Sequence, residues 1–271
     1  MIKVATIVPQ RYLSLVKEDT YHMALAHLIN KPGMEEYTKF FKSAGADENS
    51  YVIMDNGLIE GDPRPIEELL AKANAINADE LILPDVFRDS KATLRAVDSA
   101  ATYLQNHTAD MGSLGFMAVP QGNTLEAWLS CATLLMDYPM ITCLGIPKVL
   151  VDIAGRDGRY IAIQKLAERL EDIDARQPEI HLLGCWRTPL ELSIIAKGVL
   201  QKHLPTIRGV DSALAYVAAR AGIKLTDGDR PDNEPIDFMD GAIEKENLLK
   251  YNIMLWNDSV DMDPNKSVIW L

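Results

Sequence analysis

The sequence predicts a single α/β domain, a (β/α)8 barrel of TIM type, and three observations predict it. Short runs rich in Val, Ile and Leu alternate with longer amphipathic stretches along the chain, as a parallel sheet wrapped by helices requires. The 271 residues, 48% of them apolar, suffice for one full barrel core. Asp, Asn and Gln recur immediately after the apolar runs, where barrels of this kind carry their working residues. One barrel domain over residues 1–271 is therefore expected.

Seven apolar runs read as strands: Ile2 to Val8, Tyr51 to Met54, Glu80 to Leu83, Gly115 to Val119, Ile141 to Ile146, Glu179 to Leu183 and Thr206 to Val210. An eighth strand is expected at Tyr251 to Trp256, behind a polar stretch from Pro231 to Pro235 that makes the last unit irregular. Helical patterns run near Met34 to Ala44, Pro65 to Ile76, Ser90 to Gln105, Thr124 to Met136, Tyr160 to Ala175, Pro189 to Lys202 and Ala213 to Ala221. Asp89-Ser90 and Asn123-Thr124 offer capping side chains, Pro65 and Pro189 stand at first turns, and Gly222 is a stop signal. Asp227 to Asp240 reads as a long loop.

The formal net charge of −12 and the pI near 4.9 argue against a protein that coats nucleic acid nonspecifically, because phosphate binding relies on concentrated Lys and Arg. A local basic mouth remains compatible with that balance. Met1 leads straight into a strand-like run and no apolar stretch reaches the length of a membrane span, so a soluble, cytoplasmic protein without a leader is expected. Cys131, Cys143 and Cys185 lie far apart without CxxC spacing, which predicts buried thiols rather than disulfides or a zinc site. His22, His27, His107, His181 and His203 share no ligand spacing; no metal is expected, and His181, inside an apolar run, reads as a packed histidine.

The residues after the strands carry the chemistry. They are Pro9-Gln10, Asp55-Asn56-Gly57, Pro84-Asp85, Pro120-Gln121-Gly122, Gly145 at the end of the fifth run, Gly184-Cys185-Trp186 and Asp211-Ser212. Asp or Asn before Gly is ordinary turn chemistry, and Asp211-Ser212 also suits a helix cap. The recurrence of Asp and Gln on one rim favours a site. Two carboxylates facing one pocket suit displacement at a sugar carbon, one attacking and the other moving protons. Gly145 and Gly184 allow close backbone approach, Gln121 offers a donor and an acceptor to a base edge, and Phe87 and Trp186 are candidates to stack on a ring.

At these positions the sequence resembles the tRNA-guanine transglycosylase superfamily, and within it the short 7-deazaguanine DNA transglycosylases of phages and bacterial modification clusters. The likeness runs in order from about Tyr51 to Gly222. Met54-Asp55-Asn56-Gly57 is similar to the family's Leu-Asp-Ser-Gly-Gly segment, and Leu83-Pro84-Asp85 falls where the family has a base-reading Asp. Val119-Pro120-Gln121-Gly122 resembles its Val-Gln-Gly segment, and Leu144-Gly145-Ile146 the glycine-containing strand end beside the purine. His181-Leu182-Leu183-Gly184 with Thr188-Pro189 resembles Leu-Met-Gly-Val-Gly-Thr-Pro, and Gly209-Val210-Asp211 the Gly-Val-Asp lead into the nucleophile strand. Two features depart from the family: the zinc-binding Cys cluster is missing, so no zinc subdomain is expected, and the family's nucleophile position holds Leu214.

The resemblance implies exchange of guanine in a polynucleotide, DNA more than tRNA, for a free 7-deazaguanine base such as preQ0. It makes Asp211 the nucleophile, Asp55 the general acid/base, and Asp85, Gln121, Gly122, Gly145 and Gly184 the base pocket, with no cofactor. For a phage-encoded chain the compartment is the host cytoplasm. Arg156, Arg159, Arg187 and Arg208 are candidate phosphate contacts. Two alternatives stay open: a nucleoside or glycoside hydrolase on the same barrel, and a catalytically idle transglycosylase-like subunit that binds a partner.

Overall fold

The computed structural model describes residues 2–59, 61–155, 157–185, 191–192, 195, 198, 205–227 and 235–258. Eight strands form one sheet: β1 (Lys3–Thr6), β2 (Tyr21–Ala24), β3 (Tyr51–Met54), β4 (Glu80–Ile82), β5 (Gly115–Ala118), β6 (Ile141–Pro147), β7 (Glu179–Leu183) and β8 (Ile207–Ser212). Their order is β1-β8-β7-β6-β5-β4-β3-β2, and every ladder is parallel. The two end strands, β1 and β2, lie side by side and bring the sheet to a nearly closed barrel. All strand carboxyl ends therefore open on one face, where the loops after β3, β4, β5 and β8 gather.

Alternation along the strands sorts the core into two shells. Ala5, Tyr21, Met23, Ile53, Ile82, Met117, Val119 and Cys143 fill the barrel interior. Their neighbours Val52, Met54, Leu81, Leu144, Ile146, Ile180, Leu182 and Val210 face the surrounding helices. Parallel strands buried on both faces read as continuous apolar runs, which is why β3 and β7 have the boundaries expected from sequence. Asp89 and Thr124 cap their helices as expected, accepting from Ala92 N at 2.9 Å and Ala127 N at 3.2 Å. Cys131, Cys143 and Cys185 are all buried.

Two strand assignments need correction. Tyr251 to Trp256 lies in a helix, Glu246–Asp258, whose Leu249, Asn252, Ile253 and Trp256 are buried at three- and four-residue spacing. That periodicity is helical, and no strand presents those positions together. The additional strand is β2, whose four residues Tyr21-His22-Met23-Ala24 are all buried. Its polar aromatics hide it in sequence, and the β1–β2 connection contains a 3-10 turn, Gln10–Leu15, where an amphipathic helix is the usual landmark. The predicted helix from Pro189 to Lys202 lies largely outside the described residues.

A bulge in β8 shapes the interior. Ile180 pairs with Ile207 but the next residue, His181, pairs with Gly209. Two β8 residues thus span one β7 step. The extra residue, Arg208, reaches Tyr21, Tyr51, Glu80 and Glu179, while Ile207 and Val210 pack outward. Gly209 accommodates the crowding, since a Cβ there would stand 2.4 Å from Tyr21 Cε1.

Candidate active site

The rim of the barrel is held by amide–carboxylate contacts between successive strand exits. Asp85, just beyond β4, is buried. Its Oδ1 accepts from Asn56 Nδ2 at 2.6 Å and its Oδ2 from Gln121 Nε2 at 2.5 Å. Asn56 also donates to Leu83 O at 2.9 Å, and Gln121 Oε1 accepts from Arg88 N at 3.0 Å. The exits of β3, β4 and β5 are thereby locked together. Burial pushes the Asp85 carboxyl up to about 6, and the two amide donors pull against that rise.

Asp55, the first residue after β3, accepts from Ala26 N through one oxygen and from Gly57 N, at 3.1 Å, through the other. It joins the loop after β2 to its own turn. Phe87 is 47% exposed on the loop after β4, with the Arg88 guanidinium 5.2 Å from its ring centroid. An exposed aromatic beside the mouth can stack on a planar ring.

Across the mouth, Asp211 lies one residue before the end of β8 and is 8% exposed. Its Oδ1 lies 3.1 Å from His181 Nε2 and accepts from Gly184 N at 3.2 Å. Gly184 adopts a positive φ of 67°, a conformation glycine enters without strain and one that accompanies the aim of its N–H at the carboxylate. Leu214 starts the helix Leu214–Arg220 and packs against the outer core. Asp211 is the β8 carboxylate directed into the barrel.

The chain matches no known family model. No curated protein matches it either. Among solved structures it is similar to N-acetylneuraminate lyase from Mycoplasma synoviae, at 12% identity and a TM-score of 0.47, over 97% of this chain and 96% of that one. It is also similar to a protein from Anabaena variabilis described as a sugar phosphate isomerase/epimerase, at 11% identity and a TM-score of 0.46, over 93% and 91% of the two chains. These likenesses assign no activity to this chain; the barrel is read from its own strand order.

Asp55, Asp85 and Gln121, on three adjacent strand exits, share the carboxyl-terminal face with Asp211. The glycines divide by role. A Cβ on Gly122 would stand 2.5 Å from Trp128 N, so that glycine lets its loop pack on the helix Leu125–Leu135. At Gly145 the corresponding space is filled by Leu183 and Met117 side chains, whose atoms would stand 2.7 Å and 3.0 Å away.

Two predicted phosphate contacts are overturned. Arg159 is fully buried, donates from Nε and Nη2 to Glu191 at 2.7 Å each, and donates from Nη1 to Gly184 O at 2.8 Å. It fastens the loop after β7 from beneath and has no surface to offer. Arg208 lies at the opposite, amino-terminal end of the barrel, between Glu80 and Glu179, the first residues of β4 and β7. Arg156, Arg187 and Trp186 lie outside the described residues. Among the described residues no group of three potential metal ligands assembles, and no helix is long and apolar enough to cross a membrane.

His181 is packed and hydrogen-bonded, as expected from its place in an apolar run, but its contact with Asp211 was not foreseen. The signal was alternation: Glu179, His181 and Leu183 are successive inward positions of β7, two residues apart. Asn56 was visible within its motif, but its bond to Asp85 joins residues 29 positions apart and needed the fold.

Proposed function

We propose that this chain is an enzyme that exchanges guanine in a polynucleotide, DNA in preference to tRNA, for a 7-deazaguanine base such as preQ0. One observation carries the reading. A carboxylate bracketed by two amides, Asp85 with Asn56 and Gln121, opens on the same barrel face as an inward-directed carboxylate, Asp211, held through one oxygen. The first arrangement suits the N–H edge of a purine, and the second suits attack on a sugar. The run of motifs shared with the transglycosylases supports the same assignment.

In this reading Asp211 attacks the anomeric carbon as the bond to guanine N9 breaks. The departing base takes the electron pair and a proton from Asp55, leaving the sugar esterified to Asp211. The incoming base then gives its proton to Asp55 and attacks the same carbon, and Asp211 leaves as a carboxylate. Two inversions give net retention. Asp85 and Gln121 hold each base in turn, Phe87 stacks on it, and the target nucleotide reaches the pocket unstacked from its neighbours. No redox step occurs and no cofactor is needed.

The test supplies guanine-containing single-stranded DNA, duplex DNA or tRNA together with tritiated preQ0, then digests the polymer to nucleosides for mass spectrometry. Incorporation into DNA by the wild type, and none by Asp211→Ala of unchanged fold, is expected. No incorporation into either polymer by the wild type overturns the reading. Free guanine released without incorporation points instead to hydrolysis. A tight complex with a second protein and no trapped adduct points to a binding subunit.

A further inference from the structure

A chain of hydrogen bonds runs inside the barrel from its closed amino end to Asp211. Arg208 Nε donates to the Tyr21 hydroxyl oxygen at 3.1 Å. The same hydroxyl lies 2.8 Å from His181 Nδ1, and His181 Nε2 lies 3.1 Å from Asp211 Oδ1. Tyr21 and His181 are both buried.

The proton positions along this chain follow from donor and acceptor inventory. A guanidinium only donates, so Tyr21 oxygen accepts from Arg208. Among the described residues the phenolic proton then has one acceptor within reach, His181 Nδ1. With Nδ1 accepting, the ring proton sits on Nε2 and points at Asp211. The opposite tautomer leaves Tyr21 O–H without an acceptor and sets an imidazole lone pair against a carboxylate, two unfavourable contacts in a buried site.

We infer that Tyr21 and Arg208 are positioning residues that lock His181 as the Nε2–H tautomer, so that Asp211 presents Oδ2 as its attacking oxygen. This rests on the exchange reading for the word attacking; the tautomer stands without it. Oδ1 is occupied by both His181 Nε2–H and Gly184 N–H, and Oδ2 carries no hydrogen bond among the described residues. Donors on one oxygen draw charge there and fix the plane of the carboxylate, leaving the other oxygen a defined direction of approach. Arg208 is anchored for the task by Glu80 and Glu179, with Tyr51 also in reach. The β8 bulge that turns Arg208 inward is thus connected, through two buried rings, to the orientation of the proposed nucleophile.

The measurement is long-range proton–nitrogen NMR on the full chain labelled with 15N-histidine, at pH 8, where imidazoles in water are uncharged. His181 is assigned by the signals lost in His181→Gln. An unprotonated Nδ1 and a protonated Nε2 are expected in the wild type; a proton on Nδ1 overturns the proposal whether or not exchange occurs. Tyr21→Phe, checked for fold by circular dichroism, is expected to shift His181 toward a tautomer mixture and to lower kcat about tenfold with KM within twofold. An unchanged tautomer and unchanged kcat in that variant also overturn it. Correct tautomers in a wild type that performs no exchange sustain the positioning chain and defeat only the exchange reading.

Discussion

Gln121 holds Asp85 from the neighbouring strand exit, donating to its Oδ2 while accepting the Arg88 amide on its own carbonyl. The carboxylate is so deeply buried that its charge is disfavoured despite two amide donors. A charged form that is available but costly suits a group that exchanges partners with a ligand.

This makes stability depend on pH with a defined sign. The Asp85 carboxyl is raised from its ordinary 3.8 to about 6. Its protonated form is favoured by folding, so the associated stability is fully present below pH 3.8 and is lost as pH rises through about 6. Asp85→Asn stays uncharged throughout. Relative to wild type it is expected to gain ~3 kcal/mol between pH 3.8 and pH 7.5, read from urea unfolding at both ends. A difference independent of pH rejects this account.

The pair at the other end of the barrel predicts a loss of stability. Glu80 is fully buried against Arg208, which is itself 11% exposed. Glu80→Ala leaves a guanidinium largely out of water with Glu179 as its remaining carboxylate, and should cost about 3 kcal/mol. Glu80→Gln keeps the shape and an acceptor and should cost less. Equal midpoints for Glu80→Ala and the wild type in chemical denaturation contradict the buried pairing.

The helix Glu246–Asp258 depends on one amide. Asn252 Oδ1 accepts from Leu225 N at 3.1 Å, and its Nδ2 donates to Ile223 O at 3.0 Å and Ala215 O at 3.4 Å. Asn252→Ala strands these backbone groups in a buried seam, for an expected loss of about 2 kcal/mol. Hydrogen exchange should accelerate first at Leu225, whose amide proton loses its acceptor. Protection there that survives the substitution refutes the role.

By itself the sequence determined the repeating architecture and which polar side chains follow the strands. Double-sided burial writes β3 and β7 as uninterrupted apolar runs, and a parallel barrel sends every following loop to one face. Asp55, Asp85, Gln121 and Asp211 could therefore be named from their places after those runs. Tertiary structure decided what those side chains touch and where the exceptions fall. Short β2 carries Tyr21 and His22 in place of an aliphatic run, Asn252 marks a helix where apolar content suggested a strand, and a bulge turns Arg208 inward. Each of these depends on contacts between residues far apart in the chain. The pairing of His181 with Asp211 joins residues 30 positions apart; local pattern carries inward direction, but only closure of the barrel brings two inward residues within hydrogen-bonding distance.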